Sequence, residues 1–555
     1  MNESERVHPG VHELKSEYQK GKISRREFIR YSALLGMSAV AAGRMVYAGG
    51  QQQPSVSPSA AGIRRGGMVK AACAVLKVGH PAQLSWNAHD LFYMQIASYL
   101  TYTDVKNVTH PYLLKNWQVS DDLRTWTLNL KEGVTFNNGD EFTADDVIFT
   151  YNEWLNKDVG SAMLGLVGSY LEPTGIEKVS KYQVRLHLRR PEIAVPEHLF
   201  QFPALVLNHR TFEGDFLKAP HGTGPFTLEL YREGEVARMR RREDFWIKGA
   251  DGKPLPYVDG IELIDMGTEY PAQIAALKSG DIHIMNMSDG APAATIFQAV
   301  KGDPNIEVVG FPTARVKVIR MRSDIKPFDD NRVRSALKKC QNREKILKLA
   351  HFGEGVLGHD THVSPAHPDF CEMPVPKYDP EGARRLLAEA GYSNGLDIKI
   401  AVIADQSDAV RTAEVLKEDC AAAGFRLTID TMPASKYWEQ WTEVDLGITQ
   451  WAHRPLGTMV LGLAYVSDSE GKPVAWNETR WVDPEFNDLY KQASGIYDVN
   501  ERRKIMCKLE TIQMERGSIG IAYWQNFWSL HNRKFRDVPP SPIDVWYFDG
   551  SWLEG

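Results

Sequence analysis

Four histidines, at positions 351, 359, 362 and 367, crowd one short stretch of the chain. Neutral imidazoles are common metal ligands, so the cluster invites a metal site. The same stretch holds Pro365 and Pro368 and reads as a loop, and an extended loop does not fix His359 and His362 in ligand geometry. Just before it, Gly353 to Gly358 fits G-x-G-x-x-G. That pattern cradles a pyrophosphate only between a preceding strand and a following helix. Here a helix-like stretch from Val333 to Leu349 precedes it and His359-Asp360-Thr361-His362 follows, so no dinucleotide is expected. Asp145 and Asp146 are paired carboxylates, the kit of acid–base chemistry. They fall in the first turn of a helix opened by Thr143, where acids cap the chain and suit the dipole. No G-x-S-x-G, H-E-x-x-H or P-loop pattern occurs. We therefore assign no catalytic residue, no cofactor and no metal ligand.

The elements around these residues alternate. Trp126-Thr127-Leu128-Asn129-Leu130 has period two and predicts a strand, and Asn137-Asn138-Gly139-Asp140 a turn. Asp379-Pro380 predicts a helix start, and Gly391 its end. Pro271 to Gly280 predicts a short helix, followed by a strand Ile282-His283-Ile284-Met285. The class is α/β. At 555 residues the chain exceeds one ordinary core, so two or three domains are expected. Net charge is −6 and no long basic block appears, which argues against nucleic acid as a partner.

The N-terminus carries an address. Ser24-Arg25-Arg26-Glu27-Phe28-Ile29 is a twin-arginine pattern, followed by an apolar run from Tyr31 to Gly43 and by Val46-Tyr47-Ala48, which suits signal-peptidase cleavage. The run is shorter than the roughly 20 residues of a membrane span. Residues 1–48 are therefore expected to be an export signal and 49–65 a flexible leader. The chain from residue 49 on has 57 basic and 66 acidic side chains. No cysteine precedes Cys73, so a lipid anchor is not expected. The five cysteines (73, 340, 371, 420 and 507) leave at least one thiol unpaired within a monomer. One or two disulfides fit an oxidising compartment, and their pairing stays open.

Several segments in order resemble one family. They are Pro111-Tyr112-Leu113-Leu114-Lys115-Asn116-Trp117, Val134-Thr135-Phe136-Asn137-Asn138-Gly139, Phe142-Thr143-Ala144-Asp145-Asp146-Val147, Gly222-Thr223-Gly224-Pro225-Phe226, Leu255-Pro256-Tyr257-Val258-Asp259, Ala276-Leu277-Lys278-Ser279-Gly280-Asp281, Phe328-Asp329-Asp330-Asn331-Arg332-Val333-Arg334 and Tyr378-Asp379-Pro380-Glu381. Together they resemble the family-five extracellular solute-binding proteins, which include dipeptide- and oligopeptide-binding proteins.

The resemblance implies a periplasmic binding protein-like α/β fold, two lobes with an extra domain inserted in lobe I. Carried onto this chain, lobe I is 66–95, 223–312 and 525–555, the extra domain 96–222 and lobe II 313–524. It implies a monomer that captures a small molecule or short peptide by lobe closure and delivers it to the permease subunits of an ABC importer. An exported sensor, a metal-binding protein or a periplasmic enzyme are the alternatives. The implied ligand site lies near Gln450, Trp451, His453 and Arg454. There the peptide-binding relatives place an acid for the ligand's amino group, and this chain has His453-Arg454. Arg forms bidentate bonds to carboxylates, so the preference is expected to invert toward an anion. Trp438, and from lobe I Trp86 and Asn87, complete the expected contacts.

Overall fold

The computed structural model describes residues 62–554, apart from 85–86, 268, 288–291, 468–469 and 544. The signal at 24–48 thus lies outside the described residues. A long mixed sheet runs through the chain in the order Phe425–Met432, Leu396–Ile403, Leu446–Trp451, Ile306–Met321, Tyr523–Asn532, Ile284–Met285, Met68–Ala72, Gly260–Ile264, Val236–Arg241 and Phe226–Arg232. Leu396–Ile403 and Phe425–Met432 are parallel, as the crossover helix Ser407–Ala421 between them requires. At the other end Met68–Ala72 is parallel to Gly260–Ile264 and Ile284–Met285.

Two long strands join the halves. Ile306–Met321 pairs antiparallel with Tyr523–Asn532, from Ile306 opposite Asn532 to Pro312 opposite Asn526. The register then shifts, and Val316 lies opposite Trp524. Proline has no amide hydrogen for the ladder, so the pairing breaks where Pro312 stands. Separate apolar cores form on either side. One includes Val69, Leu91, Trp126 and Phe548, and another Ile319, Leu337, Ile400 and Ile448.

Residues 114–187 build a second, antiparallel sheet in the order Leu114–Val119, Thr125–Leu130, Gln183–His187, Ile176–Ser180. Trp126, Leu128 and Leu130 turn inward on alternate positions. The helix Ala144–Leu155 opens with a capping box, the Thr143 amide donating to Asp146 Oδ2 at 2.8 Å. Asp146 is fully buried, whereas Asp145 pairs with Lys178 Nζ at 2.7 Å on the surface. The paired carboxylates are thus one cap and one ion pair. At Gly222 an added Cβ would stand 2.1 Å from the Ile96 carbonyl oxygen, so the backbone's approach there admits only glycine.

Three local expectations change. The strand at 282–285 shrinks to Ile284–Met285. The helical stretch from 333 divides into Asn331–Lys339 and Arg343–Ala350, because Asn342 caps a second helix by accepting from the Lys345 amide at 3.2 Å. Gly355–Leu357 is a strand against Tyr523–Gln525, and a Cβ at Gly355 would meet the Trp524 carbonyl oxygen at 2.4 Å. Gly355 and Gly358 of G-x-G-x-x-G therefore serve close backbone packing, and Gly353 a turn at φ +80°. Cys371 and Cys507 form a disulfide, tying the stretch after this strand to the helix Val499–Arg516, while Cys73, Cys340 and Cys420 are buried thiols. Among the described residues no helix is long and apolar enough to cross a membrane.

Candidate functional site

A cleft opens beside the register break. Arg315 and Lys317 alternate on the strand Ile306–Met321, so both point to one face, and both are buried. Lys317 Nζ lies 2.6 Å from Gln450 Oε1, 2.9 Å from Gln406 Oε1 and 3.4 Å from Asp408 Oδ1. Gln525 donates to the other Asp408 oxygen at 2.8 Å. Burial alone would raise the Asp408 carboxyl, but the charge of Lys317 above all holds it below the usual carboxylate range. Arg315 donates from Nε to the Pro542 carbonyl at 3.3 Å, with its guanidinium 4.2 Å from the Phe527 ring centre.

His351 and Arg411 complete the polar wall. The His351 ring stacks between Tyr523 and Trp528, with centroids at 5.5 and 5.7 Å. Burial holds this imidazole below the ordinary histidine value, so it is neutral at neutral pH. Arg411 Nη2 donates to the Ala350 carbonyl at 3.1 Å. Apart from the exposed Asp405, the remaining lining is apolar or uncharged and comes from both sides of the break, including Ala294 and Phe527. The arrangement suits non-covalent capture of a small polar solute: a partly open cleft with a few fixed polar groups.

The residues expected from the sequence scatter around this cleft. Gln450 lines it. Trp451, one position along, turns to the opposite face of the strand from Gln450. It is buried there, donating from Nε1 to Glu478 Oε1 at 2.9 Å, and Glu478 also holds Arg320 Nε at 3.1 Å. His453 is buried, and both its ring nitrogens are bonded: Nδ1 accepts from the Ala314 amide at 3.0 Å and Nε2 meets Asn107 Oδ1 at 2.8 Å. Arg454 is half-buried, and its carbonyl accepts from His367 Nε2 at 2.9 Å. Neither His453 nor Arg454 is among the described residues that line the cleft. Trp438 is exposed on the helix Ala434–Gln440, edge-on to Tyr437 and Trp441. Trp86 lies outside the described residues, and Asn87 opens the helix Asn87–Ile96.

The histidine cluster does not converge. His359 bonds the Met373 carbonyl, His362 the Tyr465 hydroxyl, His367 the Arg454 carbonyl and His351 the Asn526 carbonyl. No group of three or more His, Cys, Asp or Glu set to hold a metal ion occurs among the described residues. The cations that do line the cleft, Arg315, Lys317 and Arg411, were missed by sequence reasoning. One signal was present: Ala314-Arg315-Val316-Lys317-Val318-Ile319-Arg320 sets charges into a strand otherwise apolar enough to be buried.

The model of the bacterial extracellular solute-binding proteins, family 5 Middle, matches residues 108–471. The chain is 27% identical over 438 residues to the di/tripeptide-binding protein 1 of Pseudomonas aeruginosa (strain UCBPP-PA14), covering 73% of this chain and 79% of that protein. Its fold is similar to HbpA2 from Haemophilus parasuis, with a TM-score of 0.75 at 20% identity over 88% of this chain and 100% of that one. It is also similar to the periplasmic binding protein DppA from Helicobacter pylori in complex with the peptide STSA, with a TM-score of 0.72 at 21% identity over 89% and 99%.

Proposed function

Because the chain belongs to the bacterial extracellular solute-binding proteins of family 5, we propose that it is the periplasmic substrate-binding component of an ABC importer, capturing a peptide-like or other small polar solute by lobe closure. The observation that carries this reading is the cleft at the register break, whose wall draws on Ala294 and Phe527 from one half and on Lys317, Asp408 and Gln450 from the other. A solute touching both halves stabilises the closed form more than the open one, and the importer's permease subunits read that closure. Lobe I is assigned to 66–95, 223–312 and 525–555, the extra domain to 96–222 and lobe II to 313–524, with crossovers near Gly222-Thr223, Pro312-Thr313 and Trp524-Gln525. The protein acts as a monomer without turnover, and it reaches the periplasm by the twin-arginine route.

The test is mass spectrometry of solute released when the purified protein is denatured, followed by calorimetric rebinding of that solute to the refolded chain. One small molecule released in near-stoichiometric amount and rebound without chemical change supports the reading. Release of nothing, with no binding of any solute offered, overturns it, and conversion of the solute to a product points to an enzyme instead.

A further inference from the structure

We propose that the cleft selects a small carboxylic acid of net negative charge, its carboxylate meeting Arg411 and the first turn of the helix Ser407–Ala421, and a donor group of the same ligand meeting His351. The inference rests on the solute-binding reading above and adds the ligand's charge and the atoms that recognise it.

Charge is the first ground. Three cationic side chains line the cleft, Arg315, Lys317 and Arg411, against two carboxylates, Asp405 and Asp408. Asp405 is exposed, where water and salt screen it. Asp408 already accepts from Gln525 and faces Lys317. An incoming ammonium group would meet a wall whose least exposed charges are mostly positive, and an incoming carboxylate would be drawn to it.

Unmet hydrogen-bonding atoms are the second ground, independent of the charge count. Arg411 spends Nη2 on the Ala350 carbonyl, and its Nε lies buried without a hydrogen-bond partner. Buried donors left without a partner are rare in folded proteins, and a guanidinium edge offers two parallel N–H groups to the two oxygens of a carboxylate. His351 is only 3% exposed. Its Nε2 donates to the Asn526 carbonyl at 3.4 Å, so Nδ1 carries the lone pair, and that atom is buried without a partner as well. A neutral imidazole held this way accepts a hydroxyl, amide or amine hydrogen from a ligand.

The helix adds a third term. Gln406, Ser407 and Asp408 line the cleft at the start of a 15-residue helix. Gln406 makes no side-chain bond back to the helix and accepts from Lys317 instead. The positive end of the helix dipole therefore faces the cleft within one turn of Arg411.

The experiment is calorimetry on the full mature chain, stripped of solute by unfolding and refolding, with four probes: glutathione and Glu-Glu, both net negative, Ala-Ala, net neutral, and Lys-Lys, net positive. The acidic probes are expected to bind at least about 10-fold tighter than Ala-Ala, and Lys-Lys not at all. Arg411→Gln should weaken the acidic probes by about 30-fold or more, the loss expected when one partner of a buried charge pair is truncated. Arg411→Lys, which keeps the charge and loses the fork, should recover part of that loss. Equal or tighter binding of Ala-Ala or Lys-Lys overturns the proposal, as does unchanged affinity of a folded Arg411→Gln variant for the acidic probes. If none of the four binds, the charge of the solute released on denaturation decides: a net-negative carboxylic acid upholds the proposal and a neutral or cationic solute overturns it. Failure of the solute-binding reading itself has a different signature, no solute released and no probe of either sign bound.

Discussion

His453 and Asn107, 346 residues apart in sequence, share a hydrogen bond of 2.8 Å between Nε2 and Oδ1. Asn107 also donates from Nδ2 to the Ala366 carbonyl at 2.9 Å, and His453 Nδ1 accepts from the Ala314 amide. Burial holds the His453 imidazole far below its ordinary pKa, so the ring is neutral with one donor and one acceptor, both in use. A turn from the span 96–222 is fastened in this way to two segments beyond Pro312.

This bond predicts a closure variant. Asn107 has φ +58°, which glycine adopts without strain, so Asn107→Gly removes the side chain and keeps the turn. It leaves the His453 N–H buried without a partner, a cost of about 1–3 kcal/mol. If the bond belongs to the closed form, affinity for the natural solute falls about 5–150-fold. Calorimetry reads the loss, and an unchanged affinity would show that the bond persists in the open form too.

The disulfide predicts a thiol count. Unfolded in denaturant without reductant, the chain should titrate three thiols, Cys73, Cys340 and Cys420, and with reductant five. Replacing Cys371 and Cys507 by Ser together should cost about 2–5 kcal/mol and lower Tm. Five thiols without reductant would contradict the bond.

Glu510 predicts a pH dependence. Its side chain is buried in the helix Val499–Arg516, with one oxygen accepting from the Cys371 amide at 3.0 Å. Burial raises its pKa to about 9, from 4.5. The folded chain thus keeps a proton that the unfolded chain releases above about pH 4.5. The stability this retained proton supports is complete below that pH and is lost progressively as pH rises toward about 9. Urea midpoints for wild type should decline relative to Glu510→Gln across about pH 5 to 9. Parallel curves for the two proteins would refute the assignment.

Export predicts a fractionation result. Replacing Arg25 and Arg26 together by Lys should leave the protein in the cytoplasm, since the twin-arginine route reads that pair. An unchanged periplasmic yield would remove the route from the proposal.

Local signals were legible because their physics is local. Thr143 with Asp146, and Asp379 with Pro380, start helices through bonds to amides two or three residues away. The alternation of Trp126, Leu128 and Leu130 buries one face of a strand wherever that strand pairs. The ordered segments from Pro111 to Glu381 likewise carry the family signature in the chain alone. The candidate site was legible only at Gln450. Cross-strand register sets Lys317 directly opposite Gln450 and Val316 opposite Trp451, so one residue of shift decides which side chain faces the cleft and which the core. Asp408 reaches the same point from a helix after a different strand, and Gln525 from the partner strand beyond the break. By itself the sequence determined several local elements, their caps and the family. The tertiary structure alone decided that Lys317, Asp408, Arg411 and Gln450 share one cleft while Trp451 and His453 turn away, because strand register and helix placement depend on residues far apart in the chain.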